Sequence, residues 1–174
     1  MGTMMLRQAV MMALVGLPMV GASAFAEDSK TLKWTTQIYA QDQFRAEFPG
    51  PVKVVPDLTP DSKKSFIRAT YYMSHHGAAE YDVGATLYLG GVTFDEGVKH
   101  GFAIFKCKTT AVDHAIPFRG KQARELIGKD CADNIPVVTA RYYEIGKYFY
   151  QVLTTGGDQE ATERFVNSFE VLAQ

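Results

Sequence analysis

Apolar and polar residues alternate along most of the chain after residue 33, and this period of two predicts a fold rich in β-strands. Strong turn signals separate the alternating segments, among them Pro49-Gly50-Pro51, Arg119-Gly120 and Gly146-Lys147. Every second residue from Tyr81 to Leu89 is apolar, which indicates that one face of this strand lies against a core. The predicted strands cover residues 34–38, 44–48, 52–55, 66–74, 81–89, 112–118, 123–127, 137–145 and 148–155.

The pattern changes to a helical period after Thr93. Thr93 and Glu96 have the spacing of a capping box, in which each side chain binds a free backbone amide at the start of a helix. Gly97 and Gly101 cost helix propensity, but their spacing of four predicts a face that lies close to a sheet. The apolar stripe of this helix consists of Phe94, Val98, Phe102 and Phe105.

A second helix is predicted near the end of the chain. Gly156-Gly157 ends the preceding strand, and Asp158 is a favourable N-cap. The order of elements is strands, a helix, more strands and a terminal helix, with hairpins between most strands. This order predicts the α+β class, with a mainly antiparallel sheet and helices packed on it. The apolar stripe of the second helix consists of Ala161, Phe165 and Phe169.

The first 26 residues have the three parts of a secretory signal peptide. Arg7 supplies the positive charge, residues 9–17 form an apolar run, and Ala24 and Ala26 stand three and one residues before the expected cut. Cleavage after Ala24 is the weaker alternative. An uncleaved membrane anchor is the other alternative, but it needs about 20 apolar residues, and Pro18 interrupts this run.

We therefore expect a signal peptide at 1–26, an N-terminal segment at 27–42 and a single α+β domain at 43–174. No cysteine precedes Cys107, so the expected cut carries no lipid-attachment cysteine and we expect no stable membrane anchor. The mature chain has 17 basic and 19 acidic residues, and this near-neutral balance argues against nucleic acid as a partner. The expected location is the periplasm or the medium.

The two cysteines have the spacing of a disulfide across a hairpin. A hairpin centred on Arg119-Gly120 pairs positions whose numbers add up to about 239, and Cys107 and Cys131 add up to 238. An oxidising compartment favours pairing of an even number of cysteines. The bond would close a loop of about 25 residues and stabilise the fold by about 3 kcal/mol. The alternatives are two free buried thiols or one reactive thiol.

Three aromatic landmarks together resemble a known group of proteins. They are the opening at 44–50 (Phe-x-x-x-Phe-Pro-Gly), the tyrosine-rich hairpin at 141–150 and the ending at 164–169. The chain resembles, over residues 43–171, the Mog1/PsbP-like group of small α/β/α domains, which includes exported bacterial proteins of unknown function. The resemblance implies a curved antiparallel sheet with helices packed on it. Characterised members bind protein partners and assist assemblies, and the group shares no catalytic residues.

Two adjacent histidines, His75 and His76, lie in the predicted connection between two strands and are the candidate metal ligands. Two imidazoles could bind copper or zinc outside the cytosol if the loop bends, because neighbours on a straight strand point to opposite faces. The alternative is a solvated turn. Further ligands would have to come from His100, His114, Asp82 or Glu80.

Enzymatic chemistry has weaker support in the sequence. Asp113 and His114 are neighbours, and serines occur at 62, 65, 74 and 168, but none lies in a Gly-x-Ser-x-Gly elbow. Cys107 stands between two lysines that would lower the pKa of its thiol, but a disulfide would remove its nucleophilicity. Asp95 and Glu96 could act as paired carboxylates, although capping already accounts for Glu96.

We therefore predict an exported, non-enzymatic binding or assembly-assisting domain that needs no cofactor and whose partner is another extracytoplasmic protein. The last hairpin is rich in tyrosine, and tyrosine is enriched at protein interfaces, so the candidate partner surface is formed by Tyr142, Tyr148 and Tyr150. The alternatives are a metal-binding protein that uses His75 and His76, and a small hydrolase.

Overall fold

Ten β-strands and two α-helices are formed by residues 33–57 and 66–172, the part of the chain that the computed structural model describes. The signal peptide and its cleavage site lie outside the described residues. The strands are β1 (Thr35–Tyr39), β2 (Phe44–Phe48), β3 (Lys53–Pro56), β4 (Phe66–His76), β5 (Ala79–Tyr88), β6 (Thr109–Ala115), β7 (Ala123–Lys129), β8 (Val137–Ile145), β9 (Tyr148–Thr155) and β10 (Glu170–Val171). The helices are α1 (Phe94–Ala103) and α2 (Gln159–Ser168).

The strands form two antiparallel sheets. The large sheet has the order β3-β4-β5-β9-β8-β7-β6, and the small sheet has the order β1-β2-β10. Most neighbours in the large sheet are also neighbours in sequence, since short turns join antiparallel strands directly. This arrangement confirms the prediction of an α+β fold with a mainly antiparallel sheet. Neither helix among the described residues is long and apolar enough to cross a membrane.

One face of the large sheet packs against the small sheet and α2. Aromatic rings fill this interface, and ring contacts join the two sheets, such as Phe44 with Tyr150 at 6.2 Å between centroids. The apolar stripe predicted for the second helix is buried here, and Asp158 caps α2 by accepting a hydrogen bond from the backbone amide of Ala161 at 2.8 Å. The largest buried side chains on this side are Tyr81, Tyr150, Phe44, Phe48 and Phe165.

The opposite face of the large sheet packs against α1. The capping box is confirmed, because Thr93 Oγ1 accepts a hydrogen bond from the Glu96 amide and the Glu96 carboxylate accepts one from the Thr93 amide at 2.9 Å. The close approach at the glycines is also confirmed, since a Cβ at Gly97 would lie 2.9 Å from the Phe149 ring. The α1 side of the core includes Val98, Phe102, Leu126, Val138, Ala140 and Phe149.

The β6–β7 hairpin has the predicted register, and the predicted disulfide is present. Partner positions add up to 239 at Val112 and to 238 at Thr110, with a bulge between these two residues. Cys107 and Cys131 continue this register beyond the strands, and their sulfur atoms are 2.01 Å apart. The bond therefore connects the segment after α1 to the segment after β7.

The β4–β5 hairpin is tighter than predicted. The sequence predicts a connection at residues 75–79, but the turn contains only Gly77 and Ala78. His75 pairs with Glu80 and His76 with Ala79 in the antiparallel ladder. The predicted loop is wrong because the backbone ladder continues past the last apolar residue of each strand, and backbone hydrogen bonds do not depend on the side chain.

The folded domain begins before the predicted boundary at residue 43. Strand β1 pairs with β2 along its whole length, and Tyr39 packs against the core. Asp42 is one of the most deeply buried residues of the protein. The segment 33–42 is therefore part of the folded domain. The two-residue strand β10 has no counterpart among the predicted strands, because it is too short to produce a periodic pattern.

Candidate functional site

The three tyrosines predicted to form a partner surface are buried, and this corrects the prediction. Tyr142 and Tyr150 have no exposed surface, and Tyr148 is 8% exposed. Tyr142 lies in the core beneath α1, whereas Tyr150 lies on the opposite face and donates a hydrogen bond to the carbonyl of Asp42 at 3.0 Å. The sequence prediction failed because both faces of the β8–β9 hairpin are covered at these three tyrosines.

An ionic cluster around the buried Asp42 anchors the connection between β1 and β2 to the large sheet. The Asp42 carboxylate accepts hydrogen bonds from the Tyr72 hydroxyl at 2.5 Å and from Arg68 Nε at 3.0 Å. Tyr148 adds a hydrogen bond to the carbonyl of Gln41 at 3.1 Å. Burial, followed by the hydrogen bond to Asp42, raises the pKa of the Tyr72 phenol, so this phenol remains a donor. These hydrogen bonds fix the β1–β2 connection on the large sheet, so the cluster has a structural role.

The two candidate metal ligands lie at the end of strand β4 and are exposed. As consecutive strand residues, His75 and His76 point to opposite faces of the sheet. His75 Nδ1 lies 3.8 Å from the Glu80 carboxylate. Within residues 33–57 and 66–172, no three His, Cys, Asp or Glu side chains are close enough together to hold a metal ion. The described structure thus does not bring the predicted ligands together.

Asp113 and His114 also point to opposite faces, because they are neighbours on β6. The Asp113 carboxylate accepts two hydrogen bonds from Arg124, at 2.5 and 2.8 Å, and these bonds lower the pKa of Asp113. His114 Nε2 lies 3.8 Å from the Glu125 carboxylate on β7. The two residues therefore do not form a nucleophile-activating pair with each other.

The remaining catalytic candidates take part in structural bonds or are buried. Cys107 is in the disulfide, and Ser168 Oγ donates to the carbonyl of Phe165 at 2.7 Å. Ser74 is fully buried, and its hydroxyl is without a hydrogen-bond partner among the described residues. Glu96 belongs to the capping box of α1, and Asp95 pairs with Arg124. Serines 62 and 65 lie outside the described residues.

Asp82 is a buried carboxyl group in the middle of the large sheet. It lies on β5 between Met73 of β4 and Leu153 of β9, and it is 6% exposed. Its Oδ1 atom has no hydrogen-bond partner within the part of the chain described. Burial, with a smaller contribution from the Glu80 carboxylate, raises the pKa of Asp82 to about 8. Asp82 is therefore mostly protonated at neutral pH.

A groove beside α2 is a concave site with both apolar and polar walls. It has a volume of about 420 Å³ and lies between α2 and strands β7 and β8, so we call it the α2 groove. It exists because α2 packs mainly against β2 and β9, which leaves the inner face of β7 and β8 partly uncovered. Its lining includes Glu125, Ile127, Val137, Arg141, Glu163 and Val166.

The polar groups of the α2 groove are held in place by one another. Arg141 donates from Nε to the Glu125 carboxylate at 2.6 Å and from Nη1 to Asn167 Oδ1 at 2.7 Å. Glu163 accepts a hydrogen bond from the Gln159 amide at 2.7 Å. Ile127, Val137 and Val166 add apolar surface beside these polar groups, so the groove offers a ligand both apolar and polar contacts.

The sequence prediction missed the α2 groove. Its walls come from two consecutive strands and a helix that follows only after β9, and no local spacing connects Glu125 with Asn167. The only local signal is polarity at positions that alternate with buried ones, such as Arg141 between Ala140 and Tyr142. An inward-facing charged residue in a predicted sheet is the kind of signal that could have indicated such a site.

No protein-family model matches this sequence, and no curated protein matches it. The fold and the site therefore define only a class: an antiparallel α+β protein with an internal disulfide, whose large sheet is covered by one helix on one face and by a small sheet and a second helix on the other.

Proposed function

We propose that this protein is an exported, non-enzymatic binding domain that holds a segment of another extracytoplasmic protein in the α2 groove. The observation that carries the proposal is the groove itself, in which apolar side chains lie beside polar groups that hydrogen bonds hold in place. Export is supported by the signal-peptide pattern at 1–26 and by the Cys107–Cys131 disulfide, which is typical of oxidising compartments.

The chemistry of the α2 groove favours an amphipathic polypeptide segment. An aliphatic side chain that enters between Ile127, Val137 and Val166 leaves water and gains about 25 cal/mol for each Å² of apolar surface buried. Arg141 already has its partners, so the polar groups need little rearrangement when the ligand binds. Glu163 on the outer wall offers a carboxylate to an amide or ammonium group.

The resemblance to the Mog1/PsbP-like group supports a role in assisting an assembly. Its three landmarks occupy structural positions: 44–50 includes β2, 141–150 includes the β8–β9 turn, and 164–169 covers the end of α2. Phe44 and Phe165 have no exposed surface, and Phe169 is almost fully buried. The landmarks therefore support a shared fold, while the partner-binding role is carried over from that group as part of the proposal.

Neither alternative function gains support from the described side chains. Metal binding would need His75 and His76 to act on one ion, but they point to opposite faces of β4. Hydrolysis would need an activated nucleophile, but Cys107 is in the disulfide. Binding is therefore the function we propose.

A variant that fills the groove tests the binding proposal. Thr139 lines the groove and is partly exposed, so Thr139→Trp should occupy its volume without disturbing the core. Lys99→Trp, on the exposed side of α1, is the matched control. We expect an extracytoplasmic partner to be retained by the wild type and by Lys99→Trp, but at least tenfold less by Thr139→Trp. Equal retention by all three proteins, with equal thermal stability, would rule out the groove as the binding site.

Export has its own test. The full chain is expressed with its N-terminus intact, and the protein recovered from the extracytoplasmic fraction is analysed by intact mass and N-terminal sequencing. We expect a chain that begins at Glu27. A start at residue 25 would support the weaker cleavage site after Ala24, and a full-length chain in the cytosol or membrane would contradict the proposal of export.

A further inference from the structure

The two edge strands of the large sheet differ in how well they are protected against pairing with another strand. Strand β3 starts two residues after Pro51 and ends at Pro56. Its short length and its prolines discourage pairing with another strand. Strand β6 is the opposite edge within the described part of the chain. It has seven residues, six of them exposed, and contains neither proline nor lysine. A bulge between Thr110 and Val112 limits its regular edge to residues 112–115.

The backbone N–H and C=O groups of every second residue of β6 point outward from the edge of the sheet and not towards β7. The Ile116 amide donates to the carbonyl of Ala123 on β7 at 3.0 Å. In an antiparallel ladder the direction alternates, so His114 and Val112 also direct their backbone groups towards β7. Asp113 and Ala115 therefore direct their N–H and C=O groups outward, where no described strand pairs with them.

Both ends of β6 are held rigidly. The Cys107–Cys131 disulfide lies just before the strand. After the strand, Phe118 packs on Tyr143 with 4.5 Å between ring centroids, and Arg119 donates a hydrogen bond to the carbonyl of Val171 at 3.1 Å. A rigid edge loses little conformational entropy when another strand pairs with it.

A pocket of about 400 Å³, which we call the edge pocket, adjoins β6 on the α1 side. Its walls include Phe94, Ile116 and Ala115, and its polar side is Arg124, which Asp113 and Asp95 hold in place. Alternate side chains of a strand added to an edge project to one face of the sheet. One such side chain would enter the edge pocket, which is how strand-addition sites obtain specificity.

Positive charges lie at both ends of the β6 edge. Lys106 and Lys108 precede the strand, and Arg119 and Lys121 follow it, and all four are exposed. The single acidic residue on β6, Asp113, is bound by Arg124. These charges favour a partner strand with acidic residues near its ends. They disfavour antiparallel pairing with a second copy, which would place the basic start of one β6 opposite the basic end of the other.

We propose that β6 accepts an extended segment of a different polypeptide as an additional strand, with acidic side chains flanking the paired residues and one side chain in the edge pocket. This surface is separate from the α2 groove, so the proposal does not depend on the groove being a binding site.

The test uses the mature protein with its disulfide intact and a synthetic peptide of alternating valine and threonine with two glutamates at each end. We expect binding in the micromolar range and slower hydrogen exchange of the Asp113 and Ala115 amides in the complex. The same peptide with lysines at its ends should bind at least tenfold more weakly at low salt, because its charges repel the basic ends of β6.

Two variants at one position separate backbone pairing from side-chain contact. Ala115→Pro removes an outward N–H without removing a bond to β7, whereas Ala115→Thr keeps that N–H and changes only the wall of the edge pocket. We expect Ala115→Pro to weaken peptide binding at least tenfold and Ala115→Thr to weaken it less than Ala115→Pro does, with both variants folded by circular dichroism.

Three outcomes would overturn the proposal. The first is peptide binding to the wild type without slower hydrogen exchange of the Asp113 and Ala115 amides. This measurement uses only the wild type, so it remains valid even if Ala115→Pro does not fold. The second is equal affinity for the glutamate-flanked and lysine-flanked peptides. The third is protection of the same amides without peptide, together with a dimer in sedimentation experiments, which would make a second copy the occupant. A groove variant such as Thr139→Trp should bind the peptide normally.

Discussion

Two buried aspartates differ in the partners that surround their carboxyl groups. Asp42 keeps its charge partners, since Arg68 and Tyr72 both donate hydrogen bonds to its carboxylate. Asp82 has no arginine or lysine partner among the described residues; the Tyr72 backbone amide donates a hydrogen bond to its carboxyl group, but Oδ1 has no hydrogen-bond partner there. Burial without a cationic partner favours the neutral acid, because an uncompensated charge in the interior costs more than protonation.

Asp82 should make the protein less stable as the pH rises. In the unfolded chain this carboxyl group loses its proton near pH 4, whereas in the fold its pKa is about 8. The folded state therefore binds more protons between these values, so its stabilising contribution is complete below about pH 4 and is lost as the pH rises towards 8. We expect the melting temperature of Asp82→Asn, relative to the wild type, to increase steadily between pH 4 and pH 8.

The comparison should be made by thermal unfolding of both proteins in the same buffers, because other groups contribute equally to both curves. Glu163→Gln is a suitable control, since Glu163 lies on the exposed wall of the α2 groove. A melting-temperature difference between Asp82→Asn and the wild type that is constant from pH 4 to pH 8 would show that the pKa of Asp82 is not raised.

Helix α1 has a low intrinsic helix propensity, but the same glycines that lower it allow the helix to pack closely on the sheet. Gly97 and Gly101 each reduce intrinsic helix stability by about 1 kcal/mol relative to alanine. In exchange, the helix axis lies close enough to the sheet for the Phe149 ring to contact the Gly97 backbone. The capping box at Thr93 offsets part of the propensity loss by binding the first free amides.

We therefore expect Gly97→Ala to destabilise the protein although alanine is the better helix former. The added Cβ would lie 2.9 Å from the Phe149 ring, and this ring is enclosed by the core and cannot move easily. Overpacking of this kind costs about 1–3 kcal/mol, so the net loss in free energy of unfolding should be up to about 2 kcal/mol. Urea denaturation measures it.

The exposed substitution Lys99→Ala on the same helix is the control for that measurement, and it should change the free energy of unfolding by less than about 0.5 kcal/mol. An increase in stability for Gly97→Ala would mean that α1 can move away from the sheet at no cost.

At the scale of the elements, the sequence predicts the registers of some hairpins better than others. The β6–β7 register follows from the Arg119-Gly120 turn, since a tight turn sets the pairing of the strands on both sides. The β8–β9 hairpin follows in the same way from Gly146-Lys147. The β4–β5 turn was predicted too wide, because His75 and His76 are polar but still pair through their backbones.

At the scale of the whole molecule, the disulfide is the covalent link across the open end of the β6–β7 hairpin, next to the end of α1. Cys107 follows α1, and Cys131 follows β7, with a sequence separation of 24 residues. Closing a loop of this size reduces the entropy of the unfolded chain and stabilises the fold by about 3 kcal/mol. Cys131 is also part of the core beneath α1.

Replacing both cysteines with alanine should therefore lower the free energy of unfolding by about 3 kcal/mol, as measured by denaturant titration. Treating the wild type with a reductant should produce a loss of similar size, while the double variant should not respond to the reductant. A double variant as stable as the oxidised wild type would show that strain in the folded state cancels the entropic gain.

Sequence patterns alone determined the α+β class, most strands, both helix starts and the Cys107–Cys131 pair. These features depend on local periodicity and turn residues, and such signals act between neighbours in the chain. The tertiary structure decided which faces are covered. Tyr142 and Tyr150 point to opposite faces, and both are buried because a helix or the small sheet covers each face. The α2 groove and the exposed β6 edge exist because that cover is incomplete, and no local pattern in the sequence records where a distant element stops.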